Sequence, residues 1–271
     1  MQAAYLGPKG TFTHQAAAYF FPNAELVPKT HIEDVFISVA SAECSAGAAP
    51  LENSTEGAVN ATLDALIEHN VNITGLVNMP INHVLMGSGK PDKILGHPQA
   101  LAQCRLFIKK NFQYAQFIPC ASNAEAAKIV SESDEAAAAI GPSGAAAEYG
   151  LTIRQSGIQD VASNSTAFIR IEPAGDEDVL PNCRTSVVFS TKNKPGALYR
   201  MLSILDSHNV NMTKILSRPI PVNHGEYMFF IDIEGYNVKE ADEALKKIKN
   251  ASVKYKFLGS YRADTIRRDD I

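Results

Sequence analysis

Four short polar turns, rich in small residues, stand where apolar runs give way to helical patterns. The first is Gly7-Pro8-Lys9-Gly10-Thr11-Phe12-Thr13-His14, between the apolar strand Ala3 to Leu6 and a helical run from Gln15 to Phe21. Its glycines permit a tight reversal and close approach of backbone to a ligand. Thr11 and Thr13 can cap the helix start, whose free N–H groups favour an anion. The second turn, Pro50-Leu51-Glu52-Asn53-Ser54-Thr55-Glu56-Gly57, follows Ala46 to Ala49 and opens a helix with Val59, Leu63, Leu66 and Ile67 on one face. His97-Pro98-Gln99 precedes Ala100 to Lys110, with Pro98 suited to a first helical turn. Gly141-Pro142-Ser143-Gly144 leads from the run Ala136 to Ile140 into Ala145 to Tyr149. Such starts are either ordinary strand-to-helix loops or the rim of a cleft for a small polar or anionic ligand.

The elements that carry these turns alternate short strands with amphipathic helices from residue 1 to about 171, which implies an α/β region with mainly parallel pairing. Thr30-His31-Ile32-Glu33 and Ser122-Asn123-Ala124-Glu125 read as capping boxes. An extended run from Val71 to Met86 is placed to leave one lobe and enter another, and Leu151 to Phe168 is placed to return. Two α/β lobes with a cleft between them fit this double crossing.

The texture changes at Glu172-Pro173-Ala174-Gly175-Asp176-Glu177-Asp178, an acidic linker. Beyond it, strands are expected at Arg184 to Ser190, Asn209 to Ser217, Glu226 to Ile233 and Val253 to Tyr261. Helices are expected after Pro195-Gly196-Ala197-Leu198 and over Val238 to Lys249. The order βαββαβ is the ferredoxin-like split motif. Two domains follow, 1–175 and 184–262.

Composition narrows the function. The chain has 271 residues, 45% hydrophobic and 20% charged, with a formal net charge of −4. That charge argues against nucleic acid and anionic membrane surfaces as partners. No apolar run is long enough to span a bilayer. The chain enters a strand at once, without a charged and apolar leader, so a cytoplasmic location is expected. Cys44, Cys104, Cys120 and Cys183 lack paired spacing, and no histidine pair has ligand spacing, so no metal site is expected. Neither a P-loop nor a dinucleotide fingerprint is present, and no cofactor is expected.

The segments Tyr5 to Thr13, Pro50-Leu51-Glu52-Asn53-Ser54, His97 to Cys104, Thr166-Ala167-Phe168, Pro195-Gly196-Ala197-Leu198 and Ser217-Arg218-Pro219 resemble, in joint order and spacing, prephenate dehydratases with a C-terminal ACT regulatory domain. The likeness covers nearly the whole chain. It implies a periplasmic-binding-protein-like catalytic region, prephenate as substrate, phenylalanine as feedback ligand, and a homodimer or homotetramer. Two positions depart from the pattern. The family's catalytic Thr-Arg-Phe stands here as Thr166-Ala167-Phe168, and its regulatory Glu-Ser-Arg-Pro stands as Leu216-Ser217-Arg218-Pro219.

Carried onto this chain, the resemblance makes Thr166, with Phe168, the catalytic pair. Thr166 donates a hydrogen bond or proton toward the leaving hydroxyl. Thr11, Asn53, Ser54 and Gln99 become candidates for orienting the substrate. Glu52 is open between a ligand contact and a helix-start bond, and His97 reads as a loop hydrogen-bonder rather than a general acid. An amino acid is expected near Gly196, Ala197 and Leu198 of one chain and Asn211 and Ser217 of another. Loss of a charge-assisted arginine contact would cost about 2–5 kcal/mol. Arg170 shares the strand face of Thr166 and Phe168, whereas Ala167 points to the other face, so Lys9 or backbone N–H groups are the substitutes to consider. The competing functions are arogenate dehydration, prephenate decarboxylation with the hydroxyl retained, and non-catalytic amino-acid sensing.

Overall fold

The fold is described from a computed structural model covering residues 1–133, 135–219 and 227–267. The first lobe contains β1 (Gln2–Leu6), α1 (Phe12–Phe20), β2 (Glu25–Lys29), α2 (Ile32–Ala40), β3 (Ala46–Asn53), the short β4 (Gly57–Ala58), α3 (Asn60–Glu68) and β5 (Val71–Pro80). The chain then crosses to a second lobe of β6 (Val84–Gly87), β7 (Lys93–Gly96), α4 (Pro98–Gln103), α5 (Arg105–Asn111), β8 (Gln116–Pro119), α6 (Asn123–Ser131), β9 (Ala137–Gly141), α7 (Ser143–Glu148) and β10 (Ile153–Ser156). It returns through β11 (Ser165–Pro173). The C-terminal part comprises β12 (Arg184–Ser190), α8 (Ala197–Ser207), β13 (Met212–Pro219), β14 (Tyr227–Glu234), α9 (Val238–Ala251), β15 (Lys254–Tyr261) and β16 (Ala263–Thr265).

The first sheet has the order β16-β5-β11-β3-β1-β2, with β4 on β3, and the second β10-β6-β9-β7-β8. Pairing is parallel for β1 with β2 and β3 and for β7 with β8 and β9, as expected from strand–helix alternation. It is antiparallel for β11 against β3 and β5 and for β6 against β9 and β10. A chain that leaves one lobe and comes back must run both ways through each sheet, so the expectation of mainly parallel pairing fails at β11, β6 and β10. The crossings are tied to each other. Ile81 N–H donates to Asn164 O (2.9 Å) and Ile158 N–H to His83 O (3.2 Å). His83 N–H also donates to Gln159 Oε1 (2.9 Å).

Helix starts depart from the expected boundaries in ways that matter for the site. Helix α1 begins at Phe12, not Gln15, because Thr11 Oγ1 accepts the His14 N–H (3.1 Å); Thr13 is buried inside the helix. Ser122 caps α6 through the Glu125 N–H (3.0 Å), as expected. The α2 cap is shifted by one residue: His31 is the N-cap and its N–H reaches Asp34 Oδ2 (3.1 Å). Pro50 to Gly57 does not open a helix directly. Strand β3 runs on to Asn53 because Glu52 and Asn53 pair with Ala167 and Thr166, and α3 starts only at Asn60. The expected helix Ala100 to Lys110 is broken at Cys104, where α4 ends and α5 begins.

The C-terminal sheet, β13-β14-β12-β15, is antiparallel throughout and has the βαββαβ order expected. The predicted strand Glu226 to Ile233 is seen from Tyr227; Glu226 lies outside the described residues. Side chains alternate across this sheet. Val187, Phe189, Ile231 and Ile233 pack under α8 and α9. Val188, Phe230 and Leu258 instead join a core with Leu51, Leu63, Leu66 and Ile169 of the first lobe. This face carries polar clamps as well. Arg218 grips Asp64 through Nη2 (2.7 and 2.8 Å), Lys256 Nζ donates to Leu66 O at the end of α3 (2.7 Å), and Lys214 Nζ pairs with Glu52 Oε2 (2.5 Å). Gly259 has φ +136°, and a Cβ there would lie 2.1 Å from Ile73 O. Only glycine allows β15 this close to β5. Strand β16 then pairs in parallel with β5 and extends the first lobe's sheet. No helix among the described residues is long and apolar enough to cross a membrane.

Candidate active site

A cavity of about 370 Å³ lies between the lobes, within the range of small-molecule sites. Thr166, Phe168, Asn53 and Gln99 all line it. A wider cleft of about 780 Å³ adjoins it, sharing Phe12, Thr13, His97, Gln99 and Asn123, and Thr11 lines that cleft. Ser54 lines neither. Its hydroxyl accepts the Ser165 N–H (3.0 Å) and contacts Asn164 Oδ1 (3.3 Å), so it clasps β3 to the return strand.

Thr166 is the best-defined polar group. It is 7% exposed, near the start of β11, and faces the cavity with Phe168. The Asn53 amide is fixed because its Oδ1 accepts the N–H of Thr55 (3.0 Å) and of Glu56 (3.2 Å), as well as the Thr55 hydroxyl (2.6 Å). Nδ2 is thereby turned toward Thr166 Oγ1 (2.9 Å) and Asn164 Oδ1 (3.0 Å). With its oxygen accepting from Asn53, Thr166 keeps its O–H to donate into the cavity. Phe168 packs against Ala16, Val77 and Met79 and forms part of the apolar wall.

The other expected residues hold the frame. Thr11 Oγ1 is occupied as the α1 cap. His97 Nδ1 accepts the Gln99 N–H (3.3 Å) and caps α4, while the His97 N–H is held by Asn123 Oδ1 (2.9 Å). His97 is thus a loop hydrogen-bonder. Glu52 is neither a ligand contact nor a helix-start group: its carboxylate pairs with Lys214 across the domain boundary.

No lysine or arginine lines the 370 Å³ cavity among the described residues. Lys9 pairs with Glu148 of the other lobe (2.9 Å). Arg170 lies over the Phe21 ring (5.2 Å) and bonds Glu172. Neither cation reaches the cavity wall. What the walls offer an anion is the N-terminal ends of the nine-residue helices α1 and α6, carrying positive partial charge, with the Gln99 and Asn123 amides beside them.

Ala167 faces away from this cavity. It pairs in register with Glu52 and packs on the core that joins the first lobe to the C-terminal sheet, and Leu216 packs on the same core. The two positions that depart from the family pattern therefore meet one interface. Absence of an arginine at 167 takes no charge from the cavity wall, so the 2–5 kcal/mol penalty attached to a lost substrate contact does not apply.

Burial pushes the His83 pKa below the ordinary histidine value, with the hydrogen bond to Gln103 acting in the opposite sense. Its ring lines the cavity and meets the Phe12 edge. Sequence reasoning missed His83, Asn164 and Asn123. The signal for His83 was a lone imidazole inside the extended run from Val71 to Met86. All four cysteines are free. Glu33, Glu68 and His69 have their ligand atoms within 4.8 Å of one another, but none lines the cavity, and His69 Nε2 is paired with Glu33 (2.6 Å).

In the C-terminal sheet, Gly196 is the α8 N-cap with φ 72°, a left-handed conformation that favours glycine, and Ala197 and Leu198 begin the helix. Asn211 Nδ2 is bonded to Glu234 (2.9 Å), and Ser217 is exposed on β13.

The prephenate dehydratase family model matches residues 3–175, and the ACT-domain model residues 185–251. A bifunctional chorismate mutase/prephenate dehydratase of Aquifex aeolicus is 41% identical over 272 residues, covering 96% of this chain and 73% of its own length. Among solved structures, a prephenate dehydratase of Arthrobacter aurescens in complex with L-Phe superposes with a TM-score of 0.86 at 33% identity, covering 100% of this chain and 92% of that one. GqqA, described as a novel type of quorum quenching acylase, superposes with a TM-score of 0.87 at 26% identity over 97% of this chain and 98% of that one. Family match, relatives and architecture agree, and the chain belongs to the prephenate dehydratase family with a C-terminal ACT domain.

Proposed function

We propose that residues 1–175 convert prephenate to phenylpyruvate by decarboxylating dehydration at Thr166, and that residues 184–262 bind phenylalanine as a feedback ligand. Prephenate carries two carboxylates, a keto group and one ring hydroxyl para to the quaternary carbon. The bond to the ring carboxylate breaks and its electron pair enters the ring. The para C–O bond breaks in turn, and the oxygen leaves with its pair as hydroxide, which a proton converts to water. Aromaticity drives the step, so no electron-sink cofactor is required. The protein's tasks are to orient the dianion and stabilise the departing oxygen.

The observation that carries this reading is the Asn53–Thr166 pair, which leaves the Thr166 O–H free as a donor in the cavity between the lobes. The amides of Gln99 and Asn123 and the start of α1 are the groups assigned to the carboxylates. Cys104 is no competitor as acid or nucleophile: burial pushes its thiol up to about 12. Phenylalanine is assigned to Gly196, Ala197 and Leu198 of one protomer with Asn211 and Ser217 of another in a homodimer or homotetramer. The L-Phe complex of the Arthrobacter aurescens relative supports phenylalanine as the ligand.

Arogenate is the second reading. It replaces the keto group with an ammonium, and Glu56 is a carboxylate on a cavity wall without lysine or arginine. Purified protein incubated with prephenate and, separately, arogenate decides between them. Phenylpyruvate formed from prephenate well above the spontaneous rate supports the first reading. Phenylalanine formed only from arogenate supports the second, and no product from either overturns both.

A further inference from the structure

One buried ring nitrogen on the cavity wall has no hydrogen-bond partner among the described residues. His83 sits at the crossing between β5 and β6, is 2% exposed, and lines the cavity with Thr166 and Phe168. Its ring meets the edge of Phe12 from the first lobe (5.5 Å between centroids) and reaches Gln103 on α4 of the second. Nε2 lies 2.9 Å from Gln103 Oε1. A carbonyl oxygen only accepts, so Nε2 carries the proton, and a neutral imidazole has just one. Nδ1 therefore presents a lone pair, and it has no hydrogen-bond partner among the described residues. Backbone bonds on both sides of the residue, to Gln159 and from Ile158, hold it in place. The pKa lowered by burial keeps the ring neutral near pH 7.

Leaving a buried acceptor unmade is costly, so such a group on a cavity wall calls for a donor from the ligand. Prephenate has one conventional hydrogen-bond donor. Its carboxylates and keto oxygen only accept, and would be repelled by the Nδ1 lone pair. Resting on the function proposed above, we propose that His83 is a substrate-binding residue whose Nδ1 accepts the proton of the ring hydroxyl. Thr166 and His83 then hold the leaving oxygen from two sides, one donating to it and one accepting from it. A carboxylate turned toward the same place meets a lone pair instead, which fixes the direction in which substrate enters.

The product supplies the control, because phenylpyruvate has no ring hydroxyl. The experiment compares wild type, His83→Leu and His83→Asn for kcat/KM on prephenate and for phenylpyruvate binding by calorimetry. His83→Leu should lower kcat/KM by about 10- to 100-fold, the range expected for one buried hydrogen bond, and leave the phenylpyruvate Kd within about twofold. His83→Asn keeps an acceptor near the Nδ1 position and should recover most of the loss. Equal losses in turnover and product binding in both variants would make His83 a structural residue and overturn the proposal, as would wild-type turnover in His83→Leu. Absence of phenylpyruvate formation by wild type would bring down the function reading and this one with it; wild-type activity undiminished in His83→Leu would bring down this one alone.

Discussion

Substitution of Asn53 by Asp tests the donor state of Thr166 with almost no change in shape. In the native site, three donors fix Asn53 Oδ1, so Nδ2 must face Thr166 Oγ1 at 2.9 Å. In Asn53→Asp the first oxygen keeps those three bonds and the turn survives. The second oxygen replaces the amide donor and draws the Thr166 hydrogen to itself in a charge-assisted bond. The leaving hydroxyl then loses its donor. One donor aimed at developing charge is worth about 10²–10³ in kcat, or ~2.7–4 kcal/mol. Asn164 absorbs part of the change, since its buried Nδ2 has no partner among the described residues and can turn toward the new carboxylate. We therefore expect kcat for phenylpyruvate formation to fall by about 10²–10³ in an enzyme that still folds. Its melting temperature should be lower, because the new oxygen replaces an Nδ2 that lies 3.3 Å from Ser165 O. KM should rise as well, because the substrate is a dianion. Asn53→Asp/Thr166→Val should be little worse in kcat than Thr166→Val alone, since Asn53 acts through Thr166. An Asn53→Asp enzyme with wild-type kcat, or losses that add in the double variant, would refute the reasoning.

Three other outcomes are expected. Gly259→Ala places a Cβ 2.1 Å from Ile73 O at φ +136° and should cost about 3 kcal/mol or more, a drop of roughly 5–10 °C in Tm by calorimetry; an unchanged Tm would contradict the close packing of β15 on β5. Burial raises the pKa of Asp232 above its ordinary value of 3.8, with the Ser186 hydrogen bond opposing it. The folded state then holds that proton more tightly than the unfolded chain, so its contribution is fully present below about 4 and declines as pH rises through the raised pKa. Urea midpoints measured from pH 4 to 7 should show that decline in wild type and lack it in Asp232→Asn. Lys214→Gln breaks the pair with Glu52, which is part exposed and worth at most about 1 kcal/mol of stability. Because Glu52 directly precedes Asn53, the inhibitory phenylalanine concentration should rise about fivefold while uninhibited kcat is kept, and an unchanged inhibition curve would detach this pair from regulation.

Much of the architecture was legible in local pattern. The double crossing showed in the extended runs Val71 to Met86 and Leu151 to Phe168, and the βαββαβ order showed in strand and helix spacing. Pairing direction was not legible, because β11 looks like any apolar strand until its place between β3 and β5 is known. Nor was the end of β3. Asn53 reads as a turn residue, and only its ladder partner Thr166, 113 positions away, keeps it in a strand. At the site, four of the expected residues, Thr166, Phe168, Asn53 and Gln99, line one cavity, while Ser54 serves the clasp beside it. The facing of Ala167 was legible, but the role of Glu52 and the substrate contact attached to an arginine at 167 were misread for a common reason. Both positions lie on the sheet face covered by the C-terminal domain, and a partner contributed by β13 leaves no mark in the local sequence. His83 escaped notice because its importance lies in a lone pair left unmatched by the fold.

The central claim is that a single oriented hydroxyl at Thr166 assists departure of the ring oxygen. Its most direct test is kcat for phenylpyruvate formation from prephenate by wild type, Thr166→Ser and Thr166→Val, with folding checked by melting. Serine keeps the hydroxyl and should stay within about tenfold of wild type, while valine keeps the shape and should lose about 10²–10³. A folded Thr166→Val enzyme as fast as wild type would contradict the account.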